Sequence, residues 1–139
     1  MKKFLLDANI VLDVLLERQP HFAPSAAVWV ALESGSHEAA VSAHALTTIH
    51  YMYRKHVGSA ASRRSVAAML RVFSVAAVDG TVIQDALRLS MPDFEDSVTA
   101  AAADMAGCDF IVTWDLKGFQ GSPVRSIAPE AVLPLLNME

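Results

Sequence analysis

The 139-residue sequence has a single cysteine, Cys108, so no intrachain disulfide can form, and a lone thiol suits a reducing compartment. Long apolar runs are also missing. The apolar segment after Met1-Lys2-Lys3 stops at Asp7 and Asn9, too early for a secretory signal, and the alanine-rich window from Ser97 to Ala106 is short and carries Asp104. Neither can serve as a membrane span, and the chain reads as soluble and cytoplasmic. Basic charge is scarce: 11 Lys and Arg stand against 15 Asp and Glu, a net charge of −4. That balance excludes holding nucleic acid by bulk charge, but it leaves room for a local site whose cation is a bound metal. Neither G-x-G-x-x-G nor a P-loop occurs, so no nucleotide cofactor is expected. The five histidines lack zinc spacing and a cysteine partner.

What is present is apolar. Fifty-three per cent of the residues are hydrophobic, enough for one core, and the length suits one domain covering residues 1–139. Short apolar runs at Lys3–Leu6, Glu38–Ser42, Val75–Val78, Phe110–Thr113 and Val124–Ile127 read as strands. Helical patterns fall between them: Ile10–Leu16, Pro24–Glu33, Ala45–Lys55, Ala60–Phe73, Val82–Leu89 and Asp93–Ala106, with a terminal helix opening at Ala128-Pro129-Glu130. In the fourth helix Val66, Met69, Leu70 and Phe73 are expected inward, with Arg63, Arg64 and Arg71 outward. Strands without polar alternation, separated by helices, predict a parallel sheet covered on both faces. In such sheets ligands gather beyond the carboxyl ends of the strands, at the point where strand order reverses.

Acids occupy those ends. The first strand runs into Asp7-Ala8-Asn9, the fourth into Thr113-Trp114-Asp115, and Asp93-Phe94-Glu95-Asp96 opens a helix between them. Converging carboxylates repel one another unless a cation intervenes, and Mg²⁺ or Mn²⁺ is the natural one for an all-oxygen ligand set. Each acid also has an ordinary structural use. Asp7 and Asp93 suit helix caps, Glu95 and Asp96 suit a first turn favoured by the helix dipole, and Asp115 suits a turn. Asp13, Asp79 and Asp85 read as surface or capping residues.

Taken together, these segments resemble the PIN-domain ribonucleases. Leu5-Leu6-Asp7-Ala8-Asn9-Ile10-Val11-Leu12-Asp13 is similar to the family's opening, a hydrophobic strand followed by D-x-N. Asp96-Ser97-Val98-Thr99-Ala100-Ala101-Ala102-Ala103, then Gly107-Cys108-Asp109-Phe110-Ile111-Val112-Thr113-Trp114-Asp115, resembles its second half, an acid at a helix start, an alanine-rich helix and a strand ending in T-x-D. Leu116-Lys117-Gly118-Phe119 resembles the loop that follows. The resemblance implies a three-layer α/β/α sandwich with a parallel sheet of order 3-2-1-4-5. It also implies metal-dependent endoribonuclease activity, with Asp7, Asp96 and Asp115 as metal-site and catalytic acids and Asn9, Thr113 and Glu95 in support. Many bacterial members are VapC-type toxins of type II toxin–antitoxin pairs, so a cognate antitoxin and a homodimer are implied as partners.

One departure stands out. Many members carry a glutamate in an S-x-x-x-x-E context on the helix after the second strand, whereas here no acid occurs between Ala39 and Lys55 and the position falls near Thr47 or Thr48. The D-F-E-D run resembles a subgroup without that glutamate, in which Glu95 offers substitute charge. The departure keeps a second reading open, a catalytically impaired PIN-like module that binds RNA or protein. A third, a hydrolase phosphorylated on Asp7, would need an acid where Asn9 stands. Trp114, Arg54 and Lys55 are candidate RNA contacts, by base stacking and by phosphate pairing respectively. His44 and His50 flank the site region and read first as structural.

Overall fold

Three apolar strands carry side chains alternately to two different cores, and this accounts for their lack of polar alternation. A computed structural model describes residues 1–137. In chain order the elements are β1 (Lys3–Leu6), α1 (Ala8–Leu15), α2 (Phe22–Glu33), β2 (Glu38–Ser42), α3 (Ala43–Val57), α4 (Ser59–Met69), β3 (Ser74–Ala76), α5 (Gly80–Leu87), α6 (Phe94–Met105), β4 (Phe110–Val112), β5 (Arg125–Ile127) and α7 (Val132–Leu136). The sheet order is β3-β2-β1-β4-β5 and every pairing is parallel, as the sequence led us to expect. The last two residues of the expected 1–139 domain lie outside the described residues.

Phe4 and Leu6 of β1, Ala39 and Val41 of β2 and Val112 of β4 enter a core shared with α1 and α2, Ile49 of α3 and Val132 of α7. Leu5, Ala40 and Ile111, one residue out of step, enter a second core built from α5 and α6. The two-residue strand period thus feeds two helix layers. In α6 every residue from Ser97 to Ala103 is buried. Its alanines let the helix lie close to the sheet, and Gly107 ends the turn after it at φ +74°, a conformation that favours glycine. Cys108, buried at the α6–β4 junction, has its thiol pushed up to about 11, chiefly by burial, which leaves little thiolate at neutral pH.

The differences from expectation are local. Helix α2 begins at Phe22, because Pro24 sits in its first turn, where a missing N–H is not needed. Helix α4 ends at Met69 rather than Phe73, so Leu70 falls off the helical period and is exposed, while Phe73 returns to the core. The third strand is Ser74–Ala76, one residue earlier at its start than expected. It is an edge strand, which leaves Val75 exposed. A 3₁₀ turn, Pro129–Ala131, precedes the last helix. Among the described residues no helix is long and apolar enough to cross a membrane.

The tightness of the α6 contact is testable. Ala100 is fully buried, so Ala100→Leu should destabilise the fold by about 1–3 kcal/mol. Met105, exposed at the end of the same helix, should tolerate alanine within about 0.5 kcal/mol. Urea unfolding of both variants checks the contrast.

Candidate functional site

Register sets up the site. Leu6 of β1 pairs with Val112 of β4, so the next residues, Asp7 and Thr113, leave the sheet side by side. The Asp7 N–H donates to the Val112 carbonyl at 3.0 Å, extending the ladder one step. Asp7 then occupies the N-cap of α1, yet its side chain makes no cap hydrogen bond. Thr113, fully buried, donates its hydroxyl to Asp7 Oδ2 at 2.9 Å. The same hydroxyl accepts from the Asp115 N–H at 3.0 Å, tying the carboxylate of Asp7 to the backbone of Asp115. Asp115 Oδ1 in turn accepts from the Gly118 N–H at 3.0 Å. A Cβ at Gly118 would collide with the Asp115 carboxylate and push it from this position.

Opposite these, Asp93 caps α6 by accepting the Asp96 N–H at 3.0 Å. The cap is therefore satisfied by Asp93, and the carboxylate of Asp96 makes no hydrogen bond among the described residues. Half-buried His44, near the start of α3, packs against the same corner. Its Nδ1 lies 3.0 Å from Ser42 Oγ and its Nε2 3.3 Å from Thr99 Oγ1, and it feels both the carboxylate and the backbone carbonyl of Glu95. Burial lowers its proton affinity more than Glu95 raises it, so the imidazole is neutral at pH 7.

The acids sense one another. Burial, then Asp7, Asp93, Asp115 and Glu95, lift the Asp96 carboxyl from its ordinary 3.8 to about 7. Asp7 is raised too, by burial first and then by Glu95 and Asp115, against the lowering hydrogen bonds of Thr113 and Ala8. No ion pair among the described residues engages Asp7, Asp96 or Asp115. No three His, Cys, Asp or Glu groups among the described residues are gathered tightly enough to close a coordination shell. The donor set is nevertheless one a hard divalent cation fits: oxygen ligands only, surplus negative charge and no competing lysine or arginine.

The remaining expected residues divide. Glu95 faces the cluster, whereas Asn9 does not hold Asp7: its amide oxygen accepts from Arg18 Nη2 at 3.3 Å, and the direct support comes from Thr113. Trp114 borders the site. Arg54 and Lys55 lie in the last turn of α3, roughly 15 Å along its axis from His44, with both cations over the Tyr51 ring. Thr47 and Thr48, where the family resemblance leads one to expect an acid, hydrogen-bond the His44 carbonyl and bring no charge. Asp13 requires a correction. It is 2% exposed rather than on the surface, because it takes the Arg18 guanidinium at 2.9 Å and the Ser25 and Trp114 donors at 3.1 and 2.9 Å. An aspartate inside an apolar helix with an arginine five residues on was the available signal. His50 bonds Ser62 at 2.8 Å, a structural role.

A pH dependence follows. The folded-state affinity of Asp96 for its proton exceeds the unfolded one, so folding holds the proton between about pH 4 and pH 7 and stability falls as pH rises through that window. Without divalent metal, the melting temperature should drop from pH 5 to pH 8, and Asp96→Asn should flatten the drop. Mn²⁺ should raise it more at pH 8 than at pH 5. Thermal unfolding followed by circular dichroism checks all three.

Known proteins agree with this architecture. FitAcB from Neisseria gonorrhoeae superposes with a TM-score of 0.72 at 15% identity, over 93% of this chain and 99% of that one. DNA-bound VapBC from Salmonella typhimurium gives 0.70 at 18%, over 93% and 99%. The sarcin–ricin-loop-cleaving toxin VapC20 of Mycobacterium tuberculosis gives 0.62 at 16%, over 78% and 86%. No curated protein sequence matches significantly. Likeness at these identities speaks for the fold alone, but the sequence model of the PIN domain matches residues 3–117, most of the chain, and on that ground the chain belongs to the PIN-domain family.

Proposed function

We propose that the protein is a metal-dependent endoribonuclease that hydrolyses RNA phosphodiester bonds, acting as the toxin of a type II toxin–antitoxin pair. The observation that carries the reading is the mutual repulsion felt at Asp96 from Asp7 and Asp115 at the strand ends and from Glu95 beside it in the first turn of α6, with no ion pair to any of the four among the described residues. Asp7, Asp96 and Asp115 would hold Mg²⁺ or Mn²⁺. When bound, the ion supplies charge neutralisation at the phosphodiester and a more acidic water. The protein's part is positional. Thr113 fixes the rotamer of Asp7, and Gly118 N–H fixes that of Asp115. Asp96, lifted to about 7 without a cation, would give up its proton on binding an ion. Neutral His44 braces the corner carrying Glu95 and Thr99, which stabilises the start of α6.

A PIN-like module that binds RNA or protein without turnover is the second reading. It is favoured by the absence of an acid at Thr47 and Thr48. The toxin–antitoxin complex from Klebsiella pneumoniae, similar in fold, supports a partner antitoxin for the toxin reading. Tyr51, Val57 and Leu70 stand exposed around α3 and α4 and support association with a second copy.

RNA incubated with Mn²⁺ separates the readings. Asp7→Asn should lower the cleavage rate by about 100-fold or more, several kcal/mol of lost transition-state stabilisation. Thr113→Val should also impair cleavage, and Thr113→Ser should retain most of it. Equal RNA loss with wild type and Asp7→Asn would overturn the nuclease, since the activity would then belong to a contaminant. Light scattering should give a mass near twice the chain's 15.0 kDa, and a monomer at working concentration would remove the dimer.

A further inference from the structure

Beside the acid cluster lies a cleft of about 360 Å³ lined by Asn9, Asp13, Arg18, Gln19, His21 and Trp114. Its volume is within the range of small-ligand sites. Its position is fixed by the chain, since Asn9 stands two residues after Asp7 and Trp114 stands between Thr113 and Asp115. The charged residues of its wall are already used. Asp13 Oδ1 takes Arg18 Nε and Nη2 at 3.0 and 2.9 Å, and Oδ2 takes Ser25 Oγ and Trp114 Nε1 at 3.1 and 2.9 Å. Arg18 Nη2 also reaches the Asn9 carbonyl at 3.0 Å. Two of the three guanidinium nitrogens are thereby committed to the protein, and the charge is matched by Asp13.

What remains for a ligand is of a different kind. His21 stacks on Trp114 with ring centroids 4.1 Å apart at 28°. The amide nitrogen of Asn9 and the whole amide of exposed Gln19 make no hydrogen bond among the described residues, so both can face a partner. Rings that extend a stack, beside amides that offer a donor and an acceptor, match the face and edge of a nucleobase rather than a backbone.

We infer that this cleft is a base-reading subsite, which seats one unpaired RNA base next to the phosphate at the acid cluster and sets sequence preference through Gln19, Asn9 and the His21–Trp114 pair. Asp13 is a positioning residue here, holding Trp114 and Arg18 in place without touching the base. The inference rests on the ribonuclease reading for its substrate, but its binding step can be observed without cleavage.

The experiment uses the full chain with Trp29→Phe, so that Trp114 is the sole indole, in EDTA. A single-stranded adenine oligoribonucleotide should quench Trp114 fluorescence saturably, and an abasic oligomer of the same length should not. Gln19→Ala and His21→Ala should each weaken binding by about tenfold, with unchanged melting temperatures, in keeping with the size of a base stack or a good base-edge contact. No quenching, equal quenching by the abasic oligomer, or unaltered affinity in both variants would overturn the subsite. In parallel, cleavage of a randomised RNA pool with Mn²⁺ should show a base bias beside the cut that flattens in Gln19→Ala. An unchanged bias in that variant would also overturn it. Base-dependent quenching without cleavage by wild type would sink the nuclease reading and keep the subsite.

Discussion

A hydrogen bond of 2.9 Å between the buried hydroxyl of Thr113 and the carboxylate of Asp7 is where fold and chemistry meet. It exists because β1 and β4, more than 100 residues apart in sequence, pair in parallel with Leu6 opposite Val112. A slip of one residue would turn Asp7 toward the opposite helix layer and break both cores, since the strands feed one layer with even-numbered side chains and the other with odd-numbered ones across β1 and β4 alike. The apolar interior therefore fixes the polar geometry at its rim. The hydroxyl donates once and accepts once, so it links the two acids' segments without adding charge.

Electrostatic tension is the counterpart of that precision. Asp7 and Asp96 are both held in the fold with raised proton affinity, burial being the largest cause in each case. The buried structural carboxylate of Asp13, by contrast, has its charge matched by Arg18. The contrast within one small chain separates acids that hold the structure together from acids that strain it, and functional sites are where such strain is expected.

Much of this was legible in the sequence. Apolar strands without alternation gave the covered parallel sheet, and acids at the ends of the first and fourth strands pointed to the sheet edge where Asp7 and Asp115 stand. Helix ends were less legible: Leu70 has the apolar character of a core residue, and only the early end of α4 turns it outward. Asp13 was misplaced because a buried aspartate looks like a surface one until its partners are known, and those partners arrive from Arg18, Ser25 and Trp114 on three separate segments. The family resemblance implies that Asn9 supports Asp7, whereas helix α1 directs its side chain to Arg18. His44 had no local pattern to mark it, since its partners Thr99 and Glu95 lie some 50 residues away on α6.

Helix α6 is seated on the sheet by seven successive buried residues, mostly alanine, with no slack for a larger side chain. The rim it carries, Asp93 to Asp96, is consequently the unyielding jaw of the molecule. The wall of the neighbouring cleft is built from the turn around Arg18 to His21 and the loop around Trp114, joined through the single carboxylate of Asp13. Substitutions in that wall can reshape the cleft without disturbing the seat of α6.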